Sequence, residues 1–277
     1  MTELKASWRA AFVAAVFLST AAVAQPVRIA GSGANVGAIG LLIAEYRKAN
    51  PTAAFAPVEA LGSAGAIKAV AGGILDIALT SRPLAQAERS IGVREVEYAR
   101  TPFVVVVRAD SALAAISGPE LARFMSGSGE AGPDGVRVRP VLRPAADIDT
   151  LLVKRMAPGV APAIEQALKR PGMMVATTDK EAADFVERTA GAIGVSSLGL
   201  VLSESRRLRP LPLDGIAPTV AALESGGYPH HKRLFLVVSE KFPPSAHAKR
   251  FVEFVTSPAA KAVLRSTGHS LPPFGGA

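Results

Sequence analysis

The chain has 277 residues, 49% of them hydrophobic, which is enough to bury one large core or two moderate ones. It contains no cysteine, and this excludes disulfides, thiolate metal sites, cysteine nucleophiles and lipid attachment through an N-terminal cysteine. The net charge of +8 lies partly in Arg137–Arg143 and Arg206–Arg209 with no interleaved aromatic residues, a pattern that speaks against nucleic acid and suits attraction of small anions.

At the N-terminus, Lys5 and Arg9 precede an apolar stretch from Ala10 to Val23, and Ala22-Val23-Ala24 closes it with small residues. This is the pattern of a secretory signal peptide cleaved after Ala24, and the run is too short and too interrupted by Ser19 and Thr20 for a membrane anchor. Residues 1–24 are therefore expected to be removed. An exported chain without a lipid anchor needs an outer membrane to retain it, so the expected compartment is the periplasm. None of His230, His231, His247 and His269 stands at zinc-type spacing from another ligand, so no metal and no cofactor is expected.

The mature chain opens with Val27-Arg-Ile-Ala-Gly-Ser-Gly-Ala-Asn-Val36, a buried strand that breaks into a glycine-rich loop ahead of a helix over Gly37–Ala49. Asn35 reads as the N-cap. The unpaired first amides and the helix dipole make such a loop a seat for phosphate, sulfate or carboxylate. The spacing of Gly31, Gly33 and Gly37 misses the dinucleotide fingerprint because Val36 stands where glycine is required. A strand near Phe55–Val58 leads to a second turn of the same kind, Gly62-Ser-Ala-Gly65, with a helix stopped by Gly72-Gly73. Ile74–Leu79 is a short strand ending in a third polar loop, Thr80-Ser-Arg-Pro-Leu84. The continuous apolar run inside Thr101–Arg108 suits a buried central or hinge strand.

Beyond it, Ser117 and Glu120 form a capping box before a short helix, and Val136–Arg143 alternates like a strand. Asp147-Ile-Asp-Thr150 opens another helix. Helices near 161–169 and 179–189 flank a strand near 174–176, and Ala192–Ser196 is a further strand. Leu234–Val238 is a second apolar run, followed by helices near 246–255 and 259–264. This alternation predicts an α/β fold with largely parallel sheets in two lobes, one from 25–107 plus 234–277 and one from 108–233, hinged at the two apolar runs.

The order and spacing of Gly31-Ser-Gly-Ala-Asn35, Gly62–Gly65, Leu75–Leu84, Ala192-Ile-Gly194, Asp214–Thr219 and Gly227-Tyr-Pro229 resemble the type II periplasmic solute-binding proteins. The likeness is strongest to the phosphate-binding (PstS-type) subunit of the ABC phosphate uptake system and runs from about Val27 to Pro273. It implies two α/β lobes joined by a two-strand hinge, with an anion held between helix N-termini and delivered by a monomeric receptor to permease subunits in the inner membrane. Carried over by position, the first lobe offers Ser32, Gly33, Ala34, Asn35 and the Val36 amide, with Ser63 as a hydroxyl donor. Ser81 stands where some phosphate binders place a proton-accepting aspartate, and Ser81-Arg82 resembles another branch of the family.

The second lobe departs from the pattern. Arg143 keeps the family arginine, but Asp147-Ile148-Asp149 replaces Ser-Gly-Thr. Two lost hydroxyl donors cost about 1.5–3 kcal/mol each. A carboxylate about 4 Å from the anion adds roughly 4 kcal/mol of repulsion per charge pair at an effective dielectric near 20. Several arrangements relieve it: Arg143 neutralises Asp147, an aspartate takes a proton from hydrogen phosphate, the ligand is a zwitterion, or Asp147 merely caps its helix. The expected function is capture of phosphate or a related oxyanion, with a sensor or docking protein carrying an altered site as the alternative. An enzyme is not expected. Ser63 is out of register for a nucleophile elbow, and His230 and His231, beside Lys232-Arg233, read as a solvated turn.

Overall fold

The computed structural model describes residues 25–273, so the predicted signal peptide lies outside the described residues. The first half of the molecule builds β1 (Ile29–Gly31), α1 (Gly33–Ala49), β2 (Glu59–Ala60), α2 (Ser63–Ala71), β3 (Ile77–Thr80) and α3 (Gln86–Arg89). The long β4 (Val93–Arg108) then leads to α4 (Gly118–Met125), β5 (Arg139–Leu142), α5 (Ile148–Val153), α6 (Val160–Leu168) and β6 (Met174–Val175). After α7 (Asp179–Arg188) come β7 (Ala192–Ser197), α8 (Leu198–Ser203), β8 (Leu208–Pro210) and α9 (Val220–Glu224). The chain returns through β9 (His231–Ser239) and ends in α10 (Ala246–Phe254) and α11 (Pro258–Ser266).

The strands follow the order β2-β1-β3-β9-β4-β7-β5-β6, with β8 also paired to β4. β1 is parallel to β2 and β3, and β5 is parallel to β6 and β7. β9 and β4 run antiparallel to their neighbours. The sheet is therefore mixed rather than largely parallel. β4 carries the chain from the first half into the second and β9 brings it back, and strands with opposite directions of travel pair antiparallel.

β4 changes partners along its length: Val93–Pro102 pairs with β9, and Phe103–Val107 pairs with β7. The apolar run 234–238 lies inside the β9 ladder with β3 and β4. Each half has its own core. Ile39, Leu42 and Tyr46 of α1 pack with Ile77, Leu236 and Phe251 in one. Phe103, Val105 and Leu121 pack with Ile164, Val195 and Tyr228 in the other. The spacing of 39, 42 and 46 puts one face of α1 on the sheet.

Two local expectations need correction. α1 begins at Gly33 with Ser32 before it, so Asn35 lies inside the first turn and is not the N-cap. Its side chain is needed elsewhere, as described below. The strand expected at 55–58 is displaced to Glu59–Ala60, with Phe55 making only a bridge to Val27. Pro57 lacks the N–H that a continued ladder would use.

Candidate functional site

The first half brings its three polar loops together. β1 ends at Gly31, where a Cβ would lie 2.0 Å from the Leu79 carbonyl oxygen of β3, so only glycine lets the chain turn there. Ser32 N donates to that same oxygen at 2.9 Å, which aims the start of α1 at the end of β3. Ser32 Oγ lies 2.5 Å from Ser81 Oγ, and Ser81 N donates to Ser63 Oγ at 3.2 Å. Asn35 Nδ2 reaches Ser81 Oγ at 3.4 Å, while the Tyr98 hydroxyl donates to Asn35 Oδ1 at 2.7 Å. Asn35 is thus a buried positioning group, held by a tyrosine whose own pKa burial drives upward. Gly33 and Ala34 supply backbone in the first turn, where amides have no intrahelical partner, and Val36 lies past it as the fourth helical residue.

The second half faces this cluster with charge. Arg143 follows β5 and is buried; its guanidinium donates to Asp147 at 2.8 Å and to the Ala176 carbonyl at 3.3 Å. Asp147 is also the N-cap of α5 and accepts from Asp149 N at 2.8 Å. The sequence-level pairing of Arg143 with Asp147 and the capping role therefore hold together. Asp149, one residue into α5, is only 1% exposed, and Lys232 of β9 is fully buried. Lys232 Nζ stands 2.5 Å from Asp149 Oδ1 and 2.5 Å from Asp179 Oδ1. Asp179 begins α7, and its Oδ2 accepts from Ser32 Oγ at 3.4 Å. A continuous polar chain therefore crosses from Ser81 through Ser32, Asp179 and Lys232 to Asp149.

Two cations, Arg143 and Lys232, meet three carboxylates, Asp147, Asp149 and Asp179. Burial raises Asp149 to about 7, against the pull of Lys232 and with the help of Asp179. Burial also acts to raise Asp179, but Lys232 and Arg143 overcome it and hold this carboxyl below the usual range. Burial opposes the charge on Lys232, and the two aspartates more than restore it. Within the Lys232 pair, Asp179 is thus held toward its anionic form and Asp149 is pushed toward its protonated form. Asp149 Oδ2 is buried with no hydrogen-bond partner among the described residues.

Asp179 and Lys232 were not among the residues expected at the site. Lys232, next to the His230-His231 pair expected in a solvated turn, sits in a strand, on the same alternating face as Leu234 and Leu236. Period-two alternation would have flagged it, had the run 234–238 not been apolar on both faces. Arg82 departs in the other direction. Its guanidinium is committed to Glu88, at 2.6 and 2.7 Å, and to the Pro83 carbonyl, so it is not part of the charged centre. Among the described residues, no group of three or more His, Cys, Asp or Glu side chains could hold a metal ion.

Beside the cluster a cavity of about 380 Å³ opens, walled by Ser81 and Pro83 from the first half, Leu152 and Arg155 from the second, and His231 and Lys232 of β9. An arrangement of helix starts, hydroxyls and a buried arginine converging between two sheet halves can bind a small oxyanion without chemical change.

Comparisons with known proteins agree with this architecture. The profile of the PBP superfamily domain matches residues 19–259. A Clostridium perfringens protein assigned as a phosphate ABC transporter substrate-binding protein, solved with bound phosphate, superposes with a TM-score of 0.74 at 16% identity. That match covers 89% of this chain and 99% of the other. An ABC-type phosphate transport receptor from Vibrio cholerae gives 0.60 at 19% identity, covering 89% and 100%. The reduced form of OxyR from N. meningitidis gives 0.59 at 15% identity, covering 89% and 98%. A search among curated proteins finds no match to the sequence. The fold is thus shared by transport receptors and by OxyR, and at these identities the likeness is one of fold.

Proposed function

The chain belongs to the PBP superfamily, and from that premise we propose that it is a periplasmic solute receptor that captures phosphate or a related oxyanion in the cleft between its halves. The observation that carries this reading is the convergence of Ser32, Ser63 and Ser81 at the start of α1, with the buried Arg143, just past β5, acting on the Asp179 that touches Ser32. Ser63 Oγ accepts from Ser81 N and keeps its own proton free to donate to an anion. We divide the lobes where β4 changes partners, between Pro102 and Phe103, which is five residues short of the boundary expected from sequence.

In this account the receptor is exported by the signal peptide, acts as a monomer, and passes its solute unchanged to the permease of an ABC uptake system. Phosphate transport receptors of the same fold support the assignment. Solute binding requires Asp179 to leave Ser32. An ionised carboxylate about 4 Å from the anion adds roughly 4 kcal/mol of repulsion, which is why Asp179 cannot stay there.

A second reading, a sensor or docking protein that closes without solute, is favoured by one observation: Asp179 already presents a carboxylate to Ser32 at the start of α1. Calorimetric titration separates the two. Protein unfolded and refolded to strip bound ligand is titrated with phosphate and sulfate. The receptor reading expects heat with phosphate and a tenfold or greater weakening in Ser63→Ala, matching about 1.5–3 kcal/mol for a hydrogen bond to a charged group. No heat with any oxyanion rejects it.

A further inference from the structure

The cavity beside the ion cluster is larger than an inorganic oxyanion needs and has a different chemistry from the cluster itself. At about 380 Å³ it falls in the range of roughly 300–1,000 Å³ typical of sites for organic ligands. Ser81 and Lys232 belong both to its wall and to the polar cluster, so the cavity and the cluster share a wall. Apolar surface comes from Phe103, Ile148 and Leu152, and no aspartate or glutamate lines it. Arg82 and Arg233 of the wall are neutralised by Glu88 and Glu97. Arg155, exposed at the rim, forms no ion pair among the described residues.

A wall with an apolar patch, no carboxylate of its own and one cation, Arg155, without an ion-pair partner among the described residues fits an anion that carries a carbon body. We propose that the solute is an organic phosphoryl anion, a phosphonate or phosphate monoester with a small apolar substituent. Its phosphoryl head lies against Ser81, and its substituent lies between Phe103 and Leu152 with Arg155 at the rim. This rests on the oxyanion-receptor reading and narrows it. The free phosphate ion fills only the head position, so it binds more weakly than its carbon-bearing derivatives.

The test is calorimetric titration of the stripped protein with inorganic phosphate, methylphosphonate, phenylphosphonate and phenyl phosphate. Phenylphosphonate or phenyl phosphate is expected to bind at least tenfold more tightly than inorganic phosphate, with methylphosphonate in between. The preferred one of the two shows whether the carbon is attached directly or through oxygen. In Arg155→Glu, an exposed position where folding is not at stake, phenylphosphonate binding is expected to fall at least fivefold. If phosphate binds and neither phenyl compound binds more tightly, the organic-ligand proposal is overturned while the receptor reading stands. Silence from all four ligands overturns both.

Discussion

Asp179 lies with one carboxylate oxygen 2.5 Å from Lys232 Nζ and the other 3.4 Å from Ser32 Oγ, so a single side chain ties α7 to β9 and to the start of α1. The same helix N-terminus that suits a bound anion is thus faced by an anion of the protein's own. Gly33 permits the approach, since a Cβ there would stand 3.0 Å from the Asp179 Cβ. On the receptor account, the free energy of solute capture includes the cost of moving this carboxylate aside.

Removing Lys232 should expose how much the cluster depends on its one central cation. Lys232→Met leaves Asp149 and Asp179 buried without their partner, and breaking such a pair costs about 3–5 kcal/mol. Urea denaturation monitored by circular dichroism is expected to show that loss, with part of it recovered when Asp149→Asn is added. A loss below about 1 kcal/mol would mean that the lysine is not buried between the carboxylates.

The protonation of Asp149 predicts a specific pH dependence. An acid whose native pKa is raised, here from 3.8 to about 7, stabilises the fold below its unfolded value, and that contribution is lost as pH rises through the native value. Asp179 has the opposite sign, contributing stability above the ordinary carboxylate range that is lost in strong acid. The buried, neutral His269, lowered to about 4 by burial, also weakens the fold on acidification below its ordinary value of 6.5. The comparison of wild type with Asp149→Asn isolates Asp149. Between pH 5 and pH 8 the wild type should lose stability relative to the variant; a relative gain would contradict the assignment.

Gly31 and Gly40 should respond to alanine in opposite ways. Gly31→Ala drives a methyl group into the backbone of Leu79, which cannot yield without separating β1 from β3, and a loss of about 3 kcal/mol is expected. Gly40, exposed on α1, has nothing within 4 Å of an added Cβ, so Gly40→Ala should stabilise by about 0.5–1 kcal/mol. Thermal melts of the two variants check both signs.

Much of the first half was legible in the sequence because its signals are local. Glycines at 31 and 62 mark turns, and each of the three polar loops directly follows or precedes an apolar run. Asp147 carries both of its roles within four residues, as cap and as partner of Arg143. The charged centre was not legible, because Asp179 and Lys232 are 53 positions apart and each has an ordinary local explanation. An acid after Thr178 looks like a helix-start charge, and a lysine between His231 and Arg233 looks solvated. Strand direction was missed for a related reason: it depends on where the chain crosses between halves, which no short window encodes.

The most direct measurement is a crystal structure of the protein grown with arsenate, a close isostere of phosphate whose arsenic is located by anomalous scattering. The receptor account predicts an arsenic peak at the start of α1, within hydrogen-bonding reach of Ser63, Ser81 and Arg143, with Asp179 moved away from Ser32. Full occupancy of the Ser32–Asp179–Lys232 chain with no arsenic peak in the cleft would contradict it.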